Sequence, residues 1–258
     1  MEKLTEKDYY DQIKDWNFDE FQILAENYTN WDMYDVLREV TNEESRILDI
    51  GTGGGEKVIL EYPDYAKEII ATDLSNEMIE TAKKNLEKSG RKNITFKVMN
   101  SLKMDVPDEY FDVVTARHTP SCPEQIYKTL KPGGYLIIRG VDMYDCHSLK
   151  RVFGYGQAYN DIKPISIIDY EAVLDAGFKE VELIPIHEKE YFKSKDLLYK
   201  FLLKVPILDE CSEEDDEGFK DFLLNKIDEE KLDEYISKNT YDKGILLLRR
   251  YYGIVAKK

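Results

Sequence analysis

An apolar run that opens directly into glycines is the first place in this sequence where backbone geometry could do chemistry. Ile47-Leu48-Asp49-Ile50 leads into Gly51-Thr52-Gly53-Gly54-Gly55. Glycine tolerates φ > 0 and lets a backbone approach a ligand closely, so a strand ending in such a turn is a candidate nucleotide-like site. The dinucleotide fingerprint G-x-G-x-x-G is not met, because its last glycine falls on Glu56 counted from Gly51 and on Val58 counted from Gly53. A glutamate there would repel a pyrophosphate, which disfavours NAD. The Gly-Lys-Ser/Thr of a Walker loop is missing. A second apolar run, Ile69-Ile70-Ala71-Thr72, closes on Asp73, 22 positions after Gly51. A carboxylate there has two acceptor oxygens for the 2′ and 3′ hydroxyls of a ribose. The plainer alternative is an aspartate that caps a turn or helix.

Groups suited to proton transfer follow the fourth apolar burst, in Ala116-Arg117-His118-Thr119-Pro120-Ser121-Cys122-Pro123. His118 is the first candidate for a general base, since an imidazole with a reference pKa of about 6.5 takes up protons near neutral pH. A histidine hydrogen-bonded in the wall is the alternative. His147 and His187 are weaker candidates. Cys122, Cys146 and Cys211 are far apart and form no C-x-x-C pair, which argues against a zinc site or disulfide framework and fits a reducing compartment.

These residues need elements to position them. Short bursts rich in Ile, Val and Leu at 46–50, 68–72, 94–99, 111–115 and 135–139 read as buried parallel strands. Between them, 75–89 reads as a helix with Ser75 as N-cap, Met78, Ile79, Ala82 and Leu86 at helical spacing, and Gly90 as its stop. A short helix at 123–130 precedes the break at Pro132-Gly133-Gly134, and one at 168–176 leads into a strand at 178–185. Strand–helix alternation implies a doubly wound sheet. Residues 1–44, with Trp16, Phe18, Phe21, Tyr28, Trp31 and Tyr34, read as two or three short helices. Residues 194–243 also read as helices, divided by the acidic stretch 212–217. One carries Leu197, Leu198, Phe201, Leu202 and Val205; the next carries Phe222, Leu223, Ile227, Leu232 and Ile236. The burst at 245–256 returns to a strand. The organisation is therefore a helical cap at 1–44, a core at 45–193, a helical insertion at 194–243 and a final core strand at 244–258.

Asp49-x-Gly51-x-Gly53-x-Gly55, Asp73-Leu74-Ser75 with Met78, Phe111-Asp112-Val113-Val114 and Leu130-Lys131-Pro132-Gly133-Gly134-Tyr135-Leu136 stand in this order. Together they resemble the motifs of class I S-adenosylmethionine-dependent methyltransferases, over roughly 46–139. The resemblance implies a Rossmann-like α/β fold with a seven-stranded, mostly parallel sheet. It implies S-adenosyl-L-methionine as cofactor and S-adenosyl-L-homocysteine as product. Gly51, Thr52 and Gly53 would pass beneath the methionine portion, with Asp49 near its ammonium. Asp73 would bind the ribose, and Leu74 and Met78 would pack on the adenine. Asn100-Ser101 stands where the family often has an acidic residue facing the adenine amino group; the asparagine carbonyl can still accept. Family members place donor and acceptor near the 116–123 loop, so Arg117 is counted with the cofactor contacts. Cys122 lacks the Pro-Cys order of enzymes that methylate carbon five of pyrimidines, and a small buried thiol is the better reading. The Asn/Asp-Pro-Pro-Tyr/Phe motif of many amino-group methyltransferases is absent. Gly154-Tyr155-Gly156-Gln157-Ala158-Tyr159-Asn160-Asp161, after the fifth strand, is read as an acceptor-site loop, with an ordinary surface connection as the alternative. The 194–243 segment is expected to cap the acceptor pocket together with the N-terminal helices. A stabilising or dimerising lobe is the alternative, and would make the chain a homodimer.

The formal net charge is −16. Duplex binding depends on cations that neutralise phosphates, so such a chain disfavours nucleic acid. Cationic or neutral small molecules fit better, and an acidic cleft would suit the sulfonium and ammonium of the cofactor. No apolar run approaches the roughly 20 residues of a membrane span, and MEKLTEKDYY is no secretory leader, which gives a cytoplasmic expectation. The reading is a methyltransferase acting on a small molecule by in-line displacement. An RNA base methyltransferase and a non-catalytic cofactor-binding protein are the alternatives, and a nicotinamide oxidoreductase ranks behind both.

Overall fold

The computed structural model describes residues 18–208 and 227–258. Trp16, Cys211, Phe222, Leu223 and the acidic stretch 212–217 lie outside them. In chain order the elements are β1 (Leu24–Asn27), α1 (Met33–Glu39), β2 (Arg46–Ile50), α2 (Glu56–Glu61), β3 (Glu68–Asp73), α3 (Asn76–Ser89), β4 (Ile94–Val98), β5 (Phe111–Arg117) and α4 (Pro123–Thr129). They continue with β6 (Leu130–Val141), α5 (His147–Phe153), α6 (Ile165–Asp175), β7 (Lys179–Phe192), α7 (Lys195–Lys204), α8 (Glu229–Asn239), β8 (Thr240–Tyr241) and β9 (Gly244–Lys257).

The strands lie in the order β1-β7-β9-β6-β5-β2-β3-β4, with β8 beside β9. The five strands β4, β3, β2, β5 and β6 are mutually parallel, and β9 runs antiparallel between β6 and β7. The seven strands of the expected doubly wound sheet are all there. Ile47, Leu48, Ile50, Val113 and Val114 are fully buried, as continuous apolar strands must be when helices cover both faces. One face packs Leu37, Ile69, Ile79 and Ala82 beneath α1, α2 and α3; the other packs Ile126, Leu136 and Val173 beneath α4 and α6. Helix α3 starts as its sequence dictates, with Ser75 Oγ accepting Met78 N–H at 3.1 Å, and ends at Gly90 in the left-handed region. β2 has β3 on one side and β5 on the other. This is a switch point of an open α/β sheet, where a crevice forms outside the carboxyl ends of the strands.

Two expectations need correction. The 1–44 region is not wholly helical: β1 pairs antiparallel with β7, Leu24 opposite Tyr191 and Asn27 opposite Glu188. The 194–243 region also contributes β8, which folds back on β9. Both additions have one cause. β6 ends at Val141, opposite Tyr251, while β9 and β7 run on as a ribbon in which Arg250 to Ile245 pairs with His187 to Phe192. That overhang, beyond the carboxyl ends of the parallel strands, leaves backbone edges that β1 and β8 cover. It also carries the lobe. Helices α7 and α8 bury Leu198, Phe201, Leu202, Leu232 and Tyr235 against α5, Phe21, Phe192 and Leu247. Among the described residues no helix is long and apolar enough to cross a membrane.

Candidate functional site

The glycine turn and Asp73 form one unit. Gly51 has φ +75°, and Thr52 N–H donates to Thr72 O at 2.8 Å. Gly53 N–H donates to Asp73 Oδ2 at 2.8 Å and Ser75 N–H to Asp73 Oδ1 at 3.0 Å. Its carboxylate thus anchors both the glycine turn and the start of α3. The loop after β5 lies directly over the turn: a Cβ built on Gly51 would stand 2.5 Å from Thr119 Cβ.

Asp49 is 3% exposed, and its Oδ1 is taken up inside the protein by Tyr62 OH at 2.5 Å and Thr115 Oγ1 at 2.8 Å. Burial pushes its carboxyl up to about 6, against the hydrogen bonds of Tyr62 and Thr115. The native state then holds this proton more tightly than the unfolded chain. The group's contribution to stability is complete below about pH 4 and is lost as pH rises through about 6, on the order of 3 kcal/mol in all. Asp49→Asn removes that titration. Urea midpoints of wild type minus variant should therefore fall between pH 4 and pH 6 and stay flat above about 7. A flat difference throughout would mean that Asp49 is ionised in the core.

Near Asp49 stand two groups with no partner among the described residues. Tyr34, from α1, is 7% exposed, and its hydroxyl has no hydrogen-bond partner. Arg117, at the end of β5, is half-buried and lies in register beside Arg139 of β6. Arg139 is paired with Glu188 at 3.0 Å. The Arg117 guanidinium makes no hydrogen bond or ion pair with any described residue, yet its charge acts on both Tyr34 and Asp49. Tyr34 had been counted only among the N-terminal aromatics, and nothing in its sequence context separates it from them.

On the far side of Asp73, Leu74 is half-buried beside the turn, but Met78 is 1% exposed. Helix α3 turns Met78 inward, so it presents no surface to a ring, contrary to expectation. Asn100 is exposed and Ser101 half-buried beyond β4. The Asn100 carbonyl, expected to accept from an adenine, already accepts Leu102 N–H at 2.8 Å.

His118 differs from expectation in its chemistry. Its φ of +53° is rare for a side-chain-bearing residue and turns the ring back over β6. There it stacks on Tyr251, centroids 5.3 Å apart, and Nε2 stands 2.6 Å from Arg139 Nη1. An arginine only donates, so Nε2 is the acceptor and its lone pair is occupied. The ring keeps access to solvent, but the crowded cleft, and then the charges of Arg117, Arg139 and Arg249, hold its pKa well below the ordinary value. The general-base expectation thus lacks both a free lone pair and basicity.

A buried ion cluster underlies this corner. Arg249 binds Asp145 through Nε at 3.0 Å and Nη2 at 3.2 Å, and Glu190 through Nη1 at 3.1 Å. Arg139 and Arg249 lie 4.0 and 5.0 Å from the Tyr251 ring. Lys150 Nζ donates to Gln157 O at 2.7 Å, which ties the 154–161 loop to α5, and His147 packs between Tyr144 and Tyr159. His187 lies apart, on a cavity of about 320 Å³ shared with Tyr144 and Arg250. Cys122 is a half-buried free thiol at the start of α4. Among the described residues no cluster of His, Cys, Asp and Glu could hold a metal ion.

Residues 41–183 match the family model of the methyltransferase domain. The ribosomal protein L11 methyltransferase of Listeria innocua is 34% identical over 110 residues, 41% of this chain and 35% of the relative. The uncharacterized methyltransferase YcgJ of Bacillus subtilis is 30% identical over 108 residues, 39% of this chain and 42% of the relative. The chain thus spans less than half the length of these relatives. In fold, the crystal structure of YcgJ aligns with a TM-score of 0.54 at 17% identity, covering 88% of this chain and 97% of that one. Phosphoethanolamine N-methyltransferase 2 of Haemonchus contortus, in complex with S-adenosyl-L-methionine, aligns with a TM-score of 0.50 at 22% identity, covering 88% of this chain and 52% of that one.

Proposed function

The chain belongs to the methyltransferase domain family, and we propose that it moves a methyl group from S-adenosyl-L-methionine onto a small-molecule acceptor. The observation that carries this reading is the pair of unanswered groups near Asp49, at the strand end that opens into the glycine turn. A half-buried guanidinium without a counter-ion and a buried hydroxyl without a partner are both costly. The α-carboxylate of a methionine portion answers both. In this reading Arg117 and Tyr34 hold the carboxylate, Gly51, Thr52 and Gly53 supply the floor beneath it, Asp73 accepts from the ribose hydroxyls, and Leu74 flanks the adenine. The Asn100-Ser101 edge closes the far end through its remaining donors.

When bound, the cofactor supplies a methyl group on a positively charged sulfur, with a neutral thioether as product. The protein's task is to hold donor and acceptor in line, and orientation of this kind can lower a barrier by about 7–11 kcal/mol. The acceptor would enter beside His118 and Thr119, beneath a cap formed by α7, α8 and the Phe18–Phe21 turn, which gather at the overhang beyond the carboxyl ends of the parallel strands. Free thiols at Cys122 and Cys146 suit a cytoplasmic setting.

Calorimetric titration tests the reading. S-adenosyl-L-methionine and S-adenosyl-L-homocysteine should bind and NAD should not. Arg117→Met should weaken both by about 10–100-fold, the worth of a charge-assisted hydrogen bond, and Tyr34→Phe by less. Preference for NAD, or an Arg117→Met variant that binds as tightly as wild type, would overturn it.

A further inference from the structure

In the reading above the acceptor enters beside His118, whose hydrogen bond to Arg139 fixes more than its orientation. With Nε2 held as an acceptor at 2.6 Å, the neutral ring carries its proton on Nδ1. That N–H has no partner among the described residues, and the residue is open to solvent. The surroundings are positive. Arg117 and Arg139 are cross-strand neighbours, and Arg249 lies behind Tyr251, 5.0 Å from its ring. Glu188 pairs with Arg139, and Asp145 and Glu190 with Arg249, whereas Arg117, next to His118 in the chain, has no carboxylate partner among the described residues; the charges that depress the imidazole are those of these three arginines. The mouth of the site therefore offers a fixed donor in a positive field, although the whole chain is strongly acidic. This reverses the expectation, drawn from net charge, of a cationic or neutral acceptor.

We infer that the methyl acceptor is a small organic acid whose oxyanion is received by the Nδ1–H of His118. His118 is then a binding donor, not a base. A cationic amine would meet an N–H donor where it needs an acceptor, on a ring whose depressed basicity already reports the nearby arginine charges. The inference rests on the cofactor reading above.

The test uses the full chain loaded with S-adenosyl-L-homocysteine, so that the carboxylate position beside Arg117 is filled. Three isosteric probes are titrated by ligand-observed NMR: benzoate, benzamide and benzamidine. Benzoate should bind about tenfold or more tighter than benzamide, with no saturable binding of benzamidine. His118→Leu should lose that preference. His118→Asn, which keeps an N–H near the position of Nδ1, should retain benzoate affinity to within about threefold. Affinity for S-adenosyl-L-homocysteine should be equal in all three proteins, which shows that each is folded. The ¹⁵N shifts of His118 should report the Nδ1–H tautomer, neutral down to pH 6. Benzamidine binding as well as benzoate, an Nε2–H tautomer, or undiminished benzoate binding by His118→Leu would each overturn the inference. If S-adenosyl-L-homocysteine itself fails to bind, the cofactor reading falls first, while the tautomer and the effect of His118→Leu on the unloaded chain still decide this one.

Discussion

Replacing Asp73 by alanine should abolish measurable cofactor binding, weakening it by about a hundredfold or more while the chain stays folded. Two losses combine. On the proposed reading the ribose loses its carboxylate acceptors, each charge-assisted bond being worth about 1.5–3 kcal/mol. The glycine turn also loses its anchor, because Gly53 N–H and Ser75 N–H both end on this carboxylate. Asp73→Asn separates the two effects. It keeps one oxygen to hold a backbone N–H, so it should bind more weakly than wild type but better than the alanine variant. Calorimetry gives the affinities, and far-ultraviolet circular dichroism checks the fold. Equal affinity in wild type and Asp73→Ala would remove Asp73 from the site and leave it as a turn cap.

The largest effect on stability should come from Asp145→Ala. Asp145 is 2% exposed and Arg249 7% at the side chain, so the substitution strands a buried guanidinium with Glu190 as its remaining partner. Arg250 N–H also loses the Asp145 oxygen it donates to at 2.7 Å. Breaking a buried pair from one side costs about 3–5 kcal/mol, a large share of the roughly 5–15 kcal/mol that a typical domain has. The urea midpoint should fall accordingly. The triple replacement Asp145→Leu, Glu190→Met and Arg249→Met should recover most of the loss, because apolar side chains at all three positions leave none of the cluster's charges buried. A single-variant cost below about 1 kcal/mol would show that water reaches the cluster.

The core was legible in the sequence because each of its rules is local. Ser75, Gly90 and the run from Ile47 to Gly55 dictate caps and turns within a few residues, and Asp73 sits where its strand must end. The departures come from contacts between distant segments. β1 exists because Glu188 to Tyr191 overhang the sheet and leave an edge for Leu24 to Asn27. Nothing in residues 24–27 themselves, with polar Glu26 and Asn27, announces a strand. The site divides in the same way. The glycine turn and Asp73 stand together as their spacing implies. His118 was found by type, but its chemistry is set by Arg139, 21 positions away. Tyr34 could not be singled out, because its unpaired hydroxyl has meaning only beside Arg117 and Asp49.

The ribbon of β7 and β9 has a consequence for how such a chain can change over generations. The stretch between its strands leaves and returns at paired positions, Phe192 and Ile245. Its two ends are therefore held together by the ribbon. A pendant attached in this way can be lengthened, shortened or exchanged with little loop-closure cost to the parallel strands. The glycine turn, Asp73 and Arg117 all lie in segments outside that pendant. The architecture thus separates the central strands from an attachment whose length can change without disturbing their register.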